Sequence, residues 1–219
     1  MLCIARKKEK KGSFVLKLDI SKAYDRVEWS LLQGIMHKMS FPEMWISRVM
    51  GCVTMPSFSI LINGKPYGNI HPSRGLRQRD HLSPYLFLLC AKGFTSLLAK
   101  AELEGHINGV PTCQRVPKIS NLLFVDDSLL FCQVTHSEVK VITEILQTYV
   151  GALGHSINLE KSLVYFSSNT RGRQKEEIMA ALGVKEVERF ESYMGLPTLI
   201  GHAKYQTFSY LKDRVWKIL

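Results

Sequence analysis

Leu122-Leu123-Phe124-Val125-Asp126-Asp127-Ser128-Leu129-Leu130-Phe131-Cys132 sets two apolar arms about a doubly acidic centre. Arms of this kind predict a buried β-hairpin with the aspartates at its tip. Carboxylates between apolar strands carry a large desolvation cost unless something positive sits with them. A bound cation is the simplest partner, and the plain alternative is a solvated polar tip, since Asp is a common turn residue. Far upstream, Phe14-Val15-Leu16-Lys17-Leu18-Asp19-Ile20 reads as a strand. It places Phe14, Leu16, Leu18 and Ile20 on one face and Val15, Lys17 and Asp19 on the other. Alone, Asp19 reads as a cap or loop acid. Antiparallel pairing of this strand with the hairpin would bring Asp19, Asp126 and Asp127 together. Three carboxylates with oxygen-only ligation suit Mg²⁺, and two such ions can clamp the attacking and leaving oxygens of a phosphoryl displacement.

The whole chain supports that direction. Its 219 residues hold 29 Lys+Arg against 19 Asp+Glu, a formal charge of +10, and 46% of them are hydrophobic. The apolar content is enough for a core and excludes disorder as the default, while the basic balance points to nucleic acid or an anionic surface. The longest apolar run, Tyr85–Ala91, falls far below the roughly 18 residues of a membrane span, and the N-terminus is too short for a signal sequence. A soluble intracellular chain is expected, with nucleus and cytoplasm left open. Five cysteines without a C-x-x-C pair suit reduced thiols, and the seven histidines show no zinc-binding spacing.

Working along the chain, a basic arm is expected over residues 1–13. Asp25 and Glu28 have the spacing of a capping box before a helix with Val27, Leu31, Leu32, Ile35, Met36 and Met39 on one face. Pro42 opens a second helix through about Cys52. Phe58–Ile62, Asn63-Gly64 and Tyr67–Ile70 predict a hairpin, and Pro66 marks its strand as an edge. Ser83 as N-cap and Pro84 at the first position start a long helix that ends before Gly105. Another helix runs from Ser137 to Leu153 and closes at Gly154. A strand at Leu163–Phe166, a helix over about Gln174–Leu182, a Gly195–Pro197 turn and a helical stretch from Tyr205 complete the reading.

Three segments together carry a family resemblance. Leu16-Lys17-Leu18-Asp19-Ile20-Ser21-Lys22-Ala23-Tyr24-Asp25-Arg26-Val27-Glu28-Trp29 resembles motif A of non-LTR (LINE-type) retrotransposon reverse transcriptases, especially those of plants. Gly75-Leu76-Arg77-Gln78-Arg79-Asp80-His81-Leu82-Ser83-Pro84 resembles their motif B, and Phe124-Val125-Asp126-Asp127 their motif C. Ile157-Asn158-Leu159-Glu160-Lys161-Ser162 is similar to motif D, and Tyr193-Met194-Gly195-Leu196-Pro197 to motif E. Order and separations also agree.

The resemblance implies an α+β fold, the palm of a polymerase right hand, with an antiparallel sheet backed by helices. It implies a palm over 14–167 and a palm–thumb junction with a partial thumb over 168–219. Asp19, Asp126 and Asp127 would be catalytic, with Mg²⁺ or Mn²⁺ held by Asp19, Asp126, Asp127 and the Ile20 carbonyl. The reaction implied is addition of deoxynucleotides to a DNA primer 3′-hydroxyl on an RNA template. Tyr24 would act as a steric gate beneath the sugar, with a core aromatic as the alternative. Gln78 would lie against nucleotide and template, with a solvent-facing amide as the alternative. Lys161 would donate to departing pyrophosphate, with a plain surface lysine as the alternative. Gly195 and Leu196 would lie near the primer.

Two departures fall in the motif B loop, where Arg79 stands for the family's usual glycine and His81 for its usual proline. Arg79 could offer charge to a phosphate, but obstruction of the loop is the expectation, because glycine adopts geometries that arginine cannot. Val125 in place of alanine should matter less. The family's fingers motifs would precede Met1, so a fragment or decayed copy is expected, with fingers lost or supplied by another subunit. The competing readings are a catalytically inactive palm that binds nucleic acid non-specifically and an unstable product with no function.

Overall fold

The computed structural model describes residues 12–111, 117–124, 127–154, 157–187, 192–193, 196–197 and 216. Elements follow in the order β1 (Ser13–Asp19), α1 (Trp29–Lys38), α2 (Glu43–Thr54), β2 (Phe58–Ile62), β3 (Lys65–Ile70) and α3 (Ser83–Leu103). Next come β4 (Val110–Pro111), β5 (Lys118–Ile119), β6 (Asn121–Phe124), β7 (Asp127–Gln133), α4 (His136–Leu153), β8 (Leu163–Phe166), α5 (Gly172–Leu182) and β9 (Lys185–Glu186). A ribbon of β10 (Ser192–Tyr193) and β11 (Leu196–Pro197) follows. The final helical stretch expected from Tyr205 lies outside the described residues except for Trp216, which is helical and exposed, and the basic arm is described only at its end.

The central sheet has the order β6-β7-β1-β8-β9, antiparallel except for the parallel β8–β9 pair. β1 lies in the middle because its two-residue alternation supplies apolar side chains to both faces. Phe14, Leu16, Leu18 and Ile20 enter the main core with residues of α1, α3, α4 and α5, whereas Val15 packs with Val110, Leu129, Phe131 and Ile119 on the other side. The short β4–β5 ribbon covers that second cluster, and the amide of Phe131 donates to the carbonyl of Ser120 over 2.8 Å.

α3 buries Leu86, Phe87, Cys90, Phe94, Leu98 and Ala101 along one side. Phe94 stacks on Tyr149 of α4 with ring centres 4.5 Å apart. α4 closes at Gly154 as its sequence predicts, and it begins at His136, one residue before the expected Ser137. The Thr135 hydroxyl accepts from the Glu138 amide, and Gly154 closes the helix in the left-handed region at φ 62°.

Several expectations are corrected. α1 starts at Trp29, and its N-cap residue Glu28 makes no side-chain capping bond. The Glu28 carboxylate meets Arg74 at 3.3 Å instead, and Asp25 accepts from Gln78. Met39 ends the helix and is exposed. Ser83 lies buried inside the first turn of α3 with Leu82 as N-cap, and Asp80 Oδ1 accepts the Leu82 amide at 2.7 Å. Ser128 to Cys132 of β7 are buried, but Leu122 of β6, the sheet's edge strand, is 41% exposed. β1 ends at Asp19, and Ile20 makes an isolated bridge to Ile157. The β2–β3 hairpin forms as expected, as a separate ribbon whose residues are all exposed.

Candidate active site

Asp19 ends β1 partly buried, and the β1–β7 register sets it opposite Asp127. Residues opposed in an antiparallel pair have Cα atoms about 4.5–5.5 Å apart. Phe124 pairs with Asp127, and Val125 and Asp126 lie outside the described residues. The fold thus brings two of the three expected acids to one end of the central strands. Among the described residues no group of three or more His, Cys, Asp or Glu side chains forms a metal site. Two opposed aspartates nonetheless match the donor chemistry of Mg²⁺, which takes one or two carboxylates together with substrate phosphates.

The Asp19 peptide is held on its other side by the turn before β8. Its amide donates to Ser162 Oγ at 3.2 Å, and its carbonyl accepts from the Asn158 amide at 2.9 Å. Lys161 sits exposed on the same turn, its amide donating to Asn158 Oδ1 at 3.3 Å. Ile20, buried and bridged to Ile157, continues this contact.

The motif A turn and the motif B loop are bonded to each other. Gly75 N donates to the Val27 carbonyl and Leu76 N to the Tyr24 carbonyl, each at 2.8 Å. The indole of Trp29 donates to the Gly75 carbonyl, also at 2.8 Å. Gly75 has φ +92°, and a Cβ there would lie 2.7 Å from the Asp25 carbonyl oxygen, so no other residue fits. Tyr24 is partly buried and stacks on Phe87, with ring centres 4.8 Å apart and planes 18° from parallel. Gln78 is exposed and donates through Nε2 to Asp25 Oδ1 at 3.0 Å. Arg79 holds a left-handed φ of 66°. That is the conformation a glycine adopts freely and a side chain resists.

A cleft of about 430 Å³ opens beside this loop, lined by Val53, Phe58, Pro72, Arg77 and Gln78 among others. It is not lined by Asp19. Burial pushes the Cys90 thiol up to about 12 and the Cys132 thiol well above its ordinary value. Leu196 pairs with Tyr193 in the terminal ribbon, and Gly195 lies outside the described residues.

A profile of the reverse transcriptase (RNA-dependent DNA polymerase) family matches residues 3–211. The chain belongs to the reverse transcriptase family. Among relatives of this chain, the Pol polyprotein of an R2 retrotransposable element from Popillia japonica is 26% identical over 73% of the chain and 25% of its own length. That of the R2DM element of Drosophila melanogaster is 22% identical over 76% of the chain and 15% of its own length. An uncharacterized mitochondrial protein of Arabidopsis thaliana is 47% identical over 31% of the chain and 56% of its own length. The chain therefore spans a quarter or less of the R2 polyproteins.

Two solved structures of Candida tropicalis telomerase share the fold, each with a TM-score of 0.56. The apo form truncated from its C-terminal domain is 13% identical over 76% of this chain and 33% of its own. The form bound to a fragment of telomeric RNA is 18% identical over 95% and 34%. The reverse transcriptase fold here is that of a right-hand polymerase.

Motif spacing points to Asp19 and Asp127, but sequence reading missed Trp29, Asn158 and Ser162 as supports. Ser162 follows Lys161 directly at the start of a strand, and that polar residue before an apolar run is the one signal available.

Proposed function

We propose that this chain is the polymerase palm of a non-LTR retrotransposon reverse transcriptase, extending a DNA primer on an RNA template. The observation that carries the reading is the register that sets Asp19 opposite Asp127 at the end of the sheet, in a chain of this family. Asp19, Asp126 and Asp127 would hold Mg²⁺ or Mn²⁺, with the Ile20 carbonyl as a further ligand. The ions, when bound, lower the pKa of the primer 3′-hydroxyl and offset charge on the α-phosphate. Tyr24, braced by Phe87, would present its ring beneath the sugar and reject a 2′-hydroxyl by bulk. Gln78, tethered to Asp25, would lie against the incoming base pair. Lys161 would donate to the departing pyrophosphate, and the Gly195-Leu196 turn would border the primer. We place this palm over 14–167 and the start of a thumb after it. No helix among the described residues is long and apolar enough to cross a membrane, and the proposed setting is intracellular.

Primer extension on an RNA template with Mg²⁺, beside an Asp126→Ala, Asp127→Ala control, tests the reading. Extension by the parent alone supports it, and extension unaffected by the double change refutes it. A second reading, an inactive palm binding nucleic acid through charge, is favoured by the left-handed Arg79 in the loop expected to meet the nucleotide. Folded protein that binds a primer–template, loses affinity steeply with salt and extends nothing would establish it.

A further inference from the structure

We propose that Ser162 is a positioning residue that, with the Asn158 backbone, fixes the peptide of Asp19 and thereby the placement of its carboxylate. The inference deepens the polymerase reading and rests on it.

β1 is paired with β8 only from Phe14 to Lys17. Past Lys17 the ladder on that side stops two residues short of the aspartate, while the β7 side continues to Asp19 itself. An end strand residue tethered on one side alone can twist about its backbone. The Asn158–Ser162 turn supplies the missing side. Asn158 N donates to the Asp19 carbonyl at 2.9 Å and Ser162 Oγ accepts the Asp19 amide at 3.2 Å, so both backbone polar groups of Asp19, one in each of its two peptide units, are engaged. The two arms are themselves joined, because the Ser162 amide donates to the Asn158 carbonyl at 2.8 Å. Ser162 is fully buried, so no water can replace its hydroxyl without rearrangement.

The same turn carries Lys161, whose amide donates to Asn158 at its carbonyl, 3.2 Å, and at Oδ1, 3.3 Å. The clamp therefore fixes the backbone of the metal-binding acid and of the proposed pyrophosphate donor in one rigid unit. The side-chain Oδ1 of Asn158 tightens the turn, and its backbone amide does the clamping.

The whole chain is tested by two readouts that need no turnover. One is Mn²⁺ affinity from the electron paramagnetic resonance of free ion, and the other is hydrogen exchange of the Asp19 amide by NMR. Ser162→Ala is expected to weaken Mn²⁺ binding about tenfold, the low end for loss of a support behind a metal ligand. It is also expected to speed exchange at Asp19 roughly tenfold, the worth of one hydrogen bond, with Leu16 unchanged. Ser162→Thr keeps the hydroxyl and restores both. Val164→Ala, which loosens the adjoining strand β8 at a buried site, moves neither. If Ser162→Ala matches Val164→Ala in both readouts, the inference is overturned. If the parent chain binds no Mn²⁺, or Asp19→Asn leaves binding intact, the polymerase reading fails, and exchange at Asp19 still decides the clamp. In an active preparation, Ser162→Ala lowers kcat and leaves the deoxynucleotide KM unchanged.

Discussion

The indole nitrogen of Trp29 donates to the carbonyl of Gly75 over 2.8 Å, tying the first residue of α1 to the loop that precedes α3. Two backbone bonds, from Gly75 to Val27 and from Leu76 to Tyr24, reinforce the tie. Trp29→Phe is expected to lower stability by about 1–2 kcal/mol, because it leaves a carbonyl without its donor. Gly75→Ala should cost more, about 2–4 kcal/mol, since it adds a left-handed backbone strain to a steric clash with the Asp25 carbonyl. Urea denaturation of both variants checks the order, and equal losses would contradict it.

Arg79 adopts φ +66° in the same loop. Arg79→Gly removes strain of about 1–2 kcal/mol but adds chain entropy to the unfolded state, for a net gain of roughly 0.5–1 kcal/mol. In a chain of this size that corresponds to a rise in Tm of about 1–4 °C. Calorimetry checks the shift. Arg79→Gly with His81→Pro is also expected to raise primer extension more than Val125→Ala does. Equal gains would contradict the obstruction assigned to the loop.

Glu138 is 1% exposed, and its carboxylate accepts from the backbone amides of Asn108 and Gln133. It thereby fastens the segment after α3 and the end of β7 to the start of α4. Glu138→Ala leaves two part-buried backbone amides without their acceptor and should cost about 1–3 kcal/mol, whereas Glu138→Gln, which keeps one acceptor oxygen, should cost less. The denaturation midpoints decide the ranking.

Burial holds the Cys90 thiol protonated to about pH 12, against 9.0 for the free group, and raises Cys132 and Tyr149 in the same direction. The unfolded chain ionises these groups first. Their contribution is therefore complete below about pH 9 and is lost as pH rises from there toward 12. Tm should fall across that window, and Cys90→Ala should make the fall shallower. Peptide mapping after brief alkylation is expected to find Cys52 modified and Cys90 and Cys132 protected until unfolding, as their exposure dictates.

β2 presents Phe58-Ser59-Ile60-Leu61-Ile62, uncharged and wholly exposed, in a two-stranded ribbon. Pro66 blunts the partner strand, which leaves β2 as the open edge. Leu61→Lys is expected to reduce light scattering on concentration with Tm nearly constant. Undiminished scattering would show that association does not run through this edge.

Local rules were legible in the chain alone. The two-residue alternation of Phe14–Ile20, the Gly154 end of α4 and the Asn63-Gly64 hairpin each depend on neighbours a few residues away, so periodicity and turn chemistry determined them. Motif order likewise determined the family and named Asp19 and Asp127. The choices that failed locally were those where a distant group competed. Glu28 has the spacing of a capping box, yet Arg74 draws its carboxylate away, and Asp25 is engaged by Gln78. Ser83 has the chemistry of an N-cap, yet it is buried in the helix while Asp80 accepts from Leu82. Only the tertiary structure decided that Asp19 pairs in register with Asp127 and that Ser162 grips the Asp19 backbone from the other side. Those contacts join residues more than a hundred positions apart, and no local propensity encodes them. They follow from β1 burying both its faces, which forces it between β7 and β8 and fixes by register what meets its last residue.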